Sequence, residues 1–235
     1  CIDILNYARL ASVSLPNSVT IIEDEAFANC VCLTCVNLGG NVVSIGNKAF
    51  SNCRQLSNIV IPNNTIYIGK GAFENCEHLT SITIPEGVTG IEEGAFSYCS
   101  RLTSIILPNS VTTIGKSAFQ GCSNLKSIYI KAITPPSLGH SAFIHEWDNK
   151  ILGCMIYVPQ CSVDAYIRAE RWSEYAFQIK SIDVAENAIQ LNDNILPNNE
   201  IWYITFNDKV LDDCQVDRFN VPIISNIYEN GKGVI

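Results

Sequence analysis

The residues in this sequence with the most chemistry to offer are its cysteines. Eleven occur in 235 residues, and five of them, Cys30, Cys53, Cys76, Cys99 and Cys122, recur every 23 residues. A row of thiolates invites soft-metal binding or disulfide exchange. Zinc, however, takes a tetrahedral cluster and not a line, and five thiols in one repeated environment cannot all pair. The column is expected to consist of buried free thiols that fill small apolar places in a core. Cys32 and Cys35 have the C-x-x-C spacing of redox motifs and metal half-sites. No helix start or second pair accompanies them, and Cys35 falls at an outward strand position, so exposed thiols are expected there. Cys154 and Cys161 flank "MIYVPQ", which leaves a disulfide across that stretch open. His140, His145, Glu146 and Asp148 gather around "HSAFIHEWD", but nothing in the spacing makes them converge, and a solvated loop is expected. His78, beside Glu74 and Glu77, reads as surface. No G-x-S-x-G, Walker loop, H-E-x-x-H or dinucleotide fingerprint occurs. The chain is therefore read as non-enzymatic, with no metal and no cofactor.

What positions the cysteines is a repeat. Leu10, Leu33, Leu56, Leu79, Leu102 and Leu125 keep the same step of 23, as do Ile22, Ile45, Ile68, Ile91 and Ile114. So do Phe27, Phe50, Phe73, Phe96 and Phe119, each preceded by Ala. A period of 23 lies in the leucine-rich-repeat range. One unit cannot bury its apolar face alone, so units must stack on their neighbours. Within "LTSITIP", Ile82, Thr83 and Ile84 alternate, which predicts a short strand with one face inward. Pro16, Pro62, Pro85 and Pro108 close their strands, because proline cannot donate to a ladder. "GVTGI" or "SVTTI" then crosses a narrow edge, and "GKGAFENC" returns with Phe inward. Stacked units place the strands in a parallel sheet about 4.8 Å apart.

The alternation turns two columns of each strand outward. One reads Ser12, Cys35, Asn58, Ser81, Ser104, Ser127. The other reads Ser14, Asn37, Val60, Thr83, Ile106, Tyr129. The last rungs are apolar and aromatic beside Lys126, so Ser104, Ile106, Lys126, Ser127 and Tyr129 are the candidate ligand-binding residues. The competing expectation is that Ile106 and Tyr129 only pack under a cap. Trp147, Trp172 and Trp202 are expected in the cores of the cap and the following module, not as sugar-stacking platforms.

"LTSITIPEGVTGIEEGAFSYC" closely resembles the BspA-like (Treponema-type) leucine-rich repeats of bacterial surface proteins, which also occur in some parasitic protists. The resemblance covers about residues 4–143 and extends more loosely over "MIYVPQCSVDAYIRAERWSEYAFQIKSI". It implies a right-handed leucine-rich-repeat solenoid of 23-residue units with a parallel β-sheet. It also implies a secreted or surface-anchored adhesion protein with a protein or glycan partner, such as host extracellular matrix or mucin. The sequence departs from the commoner leucine-rich consensus. It lacks an Asn ladder after the strand, Thr65 breaks a Val column, and Lys131 replaces the strand-ending proline.

The array is read as residues 1–143, beginning in mid-repeat. Residues 144–182 are read as a C-terminal cap with a short helix, Ser162 as its N-cap and Asp164 in its first turn. Residues 183–235 read as a small β linking module, truncated downstream, with Asn207-Asp208 and Asn230-Gly231 as turn signals. A net charge of −8 with 15 scattered Lys and Arg argues against nucleic acid, which needs clustered cations. No apolar run reaches bilayer length, and no signal or anchor is visible. Acidic runs such as Glu23-Asp24-Glu25 and Glu92-Glu93 read as a solvated face. The alternative to a binding module is a structural spacer that presents a distal domain.

Overall fold

Each 23-residue unit closes into one coil, because its apolar columns all find partners in the coils above and below. The computed structural model describes residues 9–144 and 153–182. It also describes the backbone of two antiparallel pairs, Thr205–Phe206 with Lys209–Val210 and Ile227–Glu229 with Lys232–Val234. In both, two residues separate the strands, where the sequence carries the Asn-Asp and Asn-Gly turn signals. Trp147, Trp202, His145, Glu146 and Asp148 lie outside the described residues.

The first side of the coils is a parallel sheet whose partners are offset by one repeat. Strands β1 (Ser12–Ser14), β3 (Cys35–Asn37) and β5 (Asn58–Val60) pair in register, Val13 beside Val36 and Val36 beside Ile59. Strands β8 (Ser104–Leu107), β10 (Ser127–Ile130), β12 (Met155–Val158) and β13 (Ile179–Ser181) continue it. Pro62, Pro85 and Pro108 follow the strands as expected and are buried. Their carbonyls accept the turn-closing amides of Thr65, Val88 and Val111. Thr65 does break the valine column, but it remains fully buried and its Oγ1 donates to the Val42 carbonyl at 2.7 Å. A hydroxyl is tolerated there because it has a partner.

The second side is built from two-residue strands: β2 (Ile21–Ile22), β4 (Ser44–Ile45) and β6 (Tyr67–Ile68), then β7 (Gly90–Ile91), β9 (Thr113–Ile114) and β11 (Ser137–Leu138). The third side returns through turns with two left-handed residues per coil, four apart, such as Lys48 with Asn52 and Gly71 with Asn75. Asn29, Asn52 and Asn75 sit at φ of 64°, 60° and 59°, where Asn is one of the few tolerant side chains. Every second amide of this stretch bonds along the axis. Lys48, Phe50 and Asn52 each donate 2.8 Å bonds to Lys70, Ala72 and Glu74 of the next coil. The same asparagines form a side-chain ladder, Asn75 to Asn52 to Asn29, at 3.0 Å per step. An asparagine ladder therefore exists, on the return side rather than after the strand.

Two stacked columns, of phenylalanine and cysteine, run through the core beside the leucine, isoleucine and valine columns. The rings of Phe27, Phe50, Phe73, Phe96, Phe119 and Phe143 lie 5.2–5.6 Å apart, with interplanar angles of 14° or less. Each buried ring contributes about 1.5–3 kcal/mol of burial. The thiol column beside them is fully buried and free, as expected.

Both β sides are interrupted at one level, between the third and fourth coils. β6 and β7 do not pair, and the rung at Ser81–Ile84 joins its neighbours only through a Thr83–Ile106 bridge. On the second side one residue departs from the pattern at this level. Gly46, Gly69, Gly115 and Gly139 occupy a column where an added Cβ would stand 2.3–2.6 Å from a backbone nitrogen of the preceding coil. Their amides donate 2.7–2.8 Å bonds to the isoleucine carbonyls of that coil. In the fourth coil the position is Glu92, whose Cβ forbids that approach, and it makes no such bond among the described residues. The return-side ladder passes this level unbroken, from Gly71, Phe73 and Asn75 to Glu93, Ala95 and Ser97.

The last coil ends in unpaired backbone groups, and side chains of residues 166–175 satisfy them. Tyr166 Oη donates to the Ala132 carbonyl at 2.7 Å, Trp172 Nε1 to Pro136 at 2.7 Å and Arg171 Nη1 to Leu138 at 2.9 Å. The Tyr175 ring meets Phe143 edge-on at 5.4 Å. Helix α1 (Val163–Arg168) has Asp164 in its first turn, but Ser162 makes no side-chain cap. A 3-10 turn over Gln160–Ser162 leads straight into the helix and holds Ser162 in a helical conformation, so its hydroxyl is not aimed at the first amides. Trp172 is fully buried, as expected of a cap residue.

Candidate functional site

The parallel sheet presents the two outward columns, and burial follows the alternation. In the first three coils the outward positions are exposed, Val60 the most apolar of them at 73%. Ser104, Ile106, Ser127 and Tyr129 are partly exposed and Lys126 is exposed. Register brings these five candidates onto adjoining rungs, Ser127 beside Ser104 and Tyr129 beside Ile106.

The columns continue past the repeats. Strand β12 sets Met155 beside Ser127 and Tyr157 beside Tyr129, and β13 sets Lys180 beside Tyr157. Tyr129 and Tyr157 stack at 4.9 Å and 12°. Tyr129 thus does pack on the cap, but on its outer face, where both rings keep some exposure. The stacking covers one face of each ring and leaves edges to solvent, an arrangement that suits polypeptide side chains better than the flat face of a sugar. Met155, Tyr157 and Lys180 were not picked out in the sequence because β12 follows β10 after 28 residues, not 23. The signal was the alternating "MIYV".

Charge on this stripe has one sign. Among the described residues, the strand segments from each opening leucine to the strand end carry Lys126, Lys131 and Lys180 and no carboxylate. Lys131 is paired with Glu86 at 3.2 Å, which leaves Lys126 and Lys180 without an ion pair among the described residues.

The thiols have little chemistry to offer. Four of the five ladder cysteines donate to a phenylalanine carbonyl of the preceding coil: Cys53 to Phe27, Cys76 to Phe50, Cys99 to Phe73 and Cys122 to Phe96, at 3.1–3.3 Å. Burial pushes Cys53 and Cys122 up to about 12, so the nucleophilic thiolate is scarce. Cys32 and Cys35 are exposed and free. The Cys154–Cys161 bridge does not form, since Cys154 is a buried free thiol while Cys161 is disulfide-bonded elsewhere. Its geometry explains this: Cys154 faces inward, one residue before the outward Met155, and lies in the core cluster, whereas Cys161 is exposed. His140 is exposed, and the His78 ring hydrogen-bonds the Arg54 carbonyl at 2.8 Å. Among the described residues no group of three or more His, Cys, Asp or Glu is placed to hold a metal ion, and no helix is long and apolar enough to cross a membrane.

Stacked 23-residue coils, a parallel sheet on one side and a phenylalanine column within define a leucine-rich-repeat solenoid. The BspA type leucine rich repeat region matches in six copies, over residues 4–126 and 43–148, and the chain belongs to that family. It is similar to the T. pallidum leucine rich repeat protein, at 32% identity and a TM-score of 0.54, covering 58% of this chain and 64% of that one. It is also similar to a leucine rich cell surface protein from Faecalibacterium prausnitzii A2-165, at 34% identity and a TM-score of 0.54, covering 63% and 39%. The chain thus spans less than two thirds of either. No curated protein matches it in sequence.

Proposed function

We propose that this chain is a non-enzymatic binding module, secreted or displayed at a cell surface, that recognises a protein or glycan partner through the last rungs of its sheet. The array (1–143) supplies the surface, residues 144–182 cap it, and 183–235 link it onward. The observation that carries the reading is the change along the outer sheet face. Small polar side chains give way to Ile106, Tyr129, Tyr157 and Met155, flanked by Lys126 and Lys180. Partly exposed aromatics with adjacent cations are the usual anchors of interfaces. The stacked tyrosine pair, with ring faces turned to each other, favours a protein over a glycan. Family membership and the cell-surface relative support the location.

The test is binding of the chain to host matrix proteins, mucins and glycans, beside an Ile106→Ser, Tyr129→Ser variant matched for folding. Binding by the wild type that falls at least tenfold in the variant is the expected result. Equal binding by both would remove the site from these rungs. No binding by either would favour the spacer.

A further inference from the structure

A second surface lies on the narrow side of the first three coils. Ile21, Val43, Ile66 and Tyr67 are exposed there by 55%, 37%, 56% and 40%. They are contiguous. Ile21, Ser44 and Tyr67 are register partners in β2, β4 and β6, and the backbone of Val43 bonds to Thr20 below and Ile66 above. The fold does not ask for them. The same two positions are Thr89-Gly90, Thr112-Thr113 and Pro136-Ser137 in the later coils. Threonine meets the strand preference for β-branching equally well, so strand formation does not explain aliphatic and aromatic side chains left in water. Contiguous exposed apolar surface marks interaction sites.

Carboxylates rim this strip. Asp24 receives the Asn47 backbone and side-chain amides, and the Tyr67 hydroxyl reaches Asn47 Oδ1 at 3.5 Å. Glu92 Oε1 stands 3.4 Å from where a Cβ on Gly90 would be, the place next in column after Tyr67. Glu23 and Glu25 are exposed alongside. Glu93 is paired with Lys70 and Lys116, whereas Glu23, Asp24, Glu25 and Glu92 have no ion pair among the described residues. Asp24 and Glu92 also act on the Tyr67 hydroxyl, which burial and their negative charge hold above its ordinary range.

We propose that this strip is a second docking surface, and that its partner is a polypeptide segment that combines aliphatic or aromatic side chains with Lys or Arg. The apolar strip takes the first and the unpaired carboxylates take the second. The site is separate from the tyrosine-lysine rungs, which have the opposite charge.

The probes are three 14-residue peptides of alternating leucine and lysine, leucine and glutamate, and serine and lysine. They are titrated against the whole chain by fluorescence anisotropy. Variants are Ile66→Thr, Tyr67→Thr, which installs the residues of the fifth coil, and Ile106→Ser, Tyr129→Ser. The leucine-lysine peptide is expected to bind at least tenfold more tightly than either control. It should weaken at least tenfold in the first variant and be unaffected by the second. Equal binding of the serine-lysine peptide would reduce the surface to general charge attraction and overturn the proposal. Unchanged binding in a folded Ile66→Thr, Tyr67→Thr variant, or no binding by the wild type, would overturn it too. None of these outcomes bears on the sheet-face reading, which has its own variant.

Discussion

At the scale of single residues, each ladder cysteine fits because its thiol is small, apolar and still able to donate one weak bond inward. A larger side chain in that place would collide with the coil above. The column also makes stability depend on alkali. Burial raises the folded pKa of Cys53 and Cys122 from 9.0 to about 12 and that of Cys154 to about 11. Cys76 and Cys99 move in the same direction. A raised folded pKa means that the unfolded chain gives up its protons first. The contribution is therefore complete below pH 9 and is lost as pH climbs from there toward 12. Urea midpoints should be level between pH 7 and 8.5 and fall steadily above pH 9.5. A Cys53→Ala, Cys122→Ala variant should show a shallower fall. In the native state a thiol reagent should modify Cys32 and Cys35 and leave the column untouched until the chain unfolds.

At the scale of elements, the cap works by imitation: hydroxyl, indole and guanidinium donors take the places of the amides that a further coil would bring. Removing one donor strands a buried carbonyl, which costs about 1–3 kcal/mol. Trp172→Phe keeps most of the ring and loses the 2.7 Å bond to Pro136. It should lower the unfolding free energy by that amount in equilibrium denaturation, and no change would mean that the bond contributes nothing. Such bonds explain what the sequence could and could not show. Strands, prolines, the phenylalanine and cysteine columns and the outward positions all follow from strict period, and period is visible in a string of letters. The asparagine ladder was equally periodic, at Asn29, Asn52 and Asn75, but its role depends on left-handed backbone that spacing does not reveal. Ser162 had the right chemistry for a cap in the wrong conformation. Tyr157 and Lys180 join the sheet face only because β12 docks in register after an irregular connection. The apolar strip is a departure from the repeat, and departures stand out only when it is known which positions face water.

At the scale of the whole molecule, the two proposed surfaces lie on different blocks of coils, with the level at Glu92 between them. On either side of that level a glycine column lets each coil bond to the one before it, and at the level itself Glu92 makes no such bond among the described residues. The return-side ladder meanwhile runs through without a break. A stack that is tied along one side and slack along the other two has a compliant joint, so the solenoid is expected to flex there and stay stiff elsewhere. Spin labels at Cys35 and at Ser127→Cys, in a Cys32→Ser background, would report the distance across the joint. The wild type should give a broad distribution and Glu92→Gly a narrower one; equal widths would mean the joint is rigid. A partner that grips both blocks would then feel the angle between them, and tension on a tethered chain would alter how well its two surfaces can be held at once.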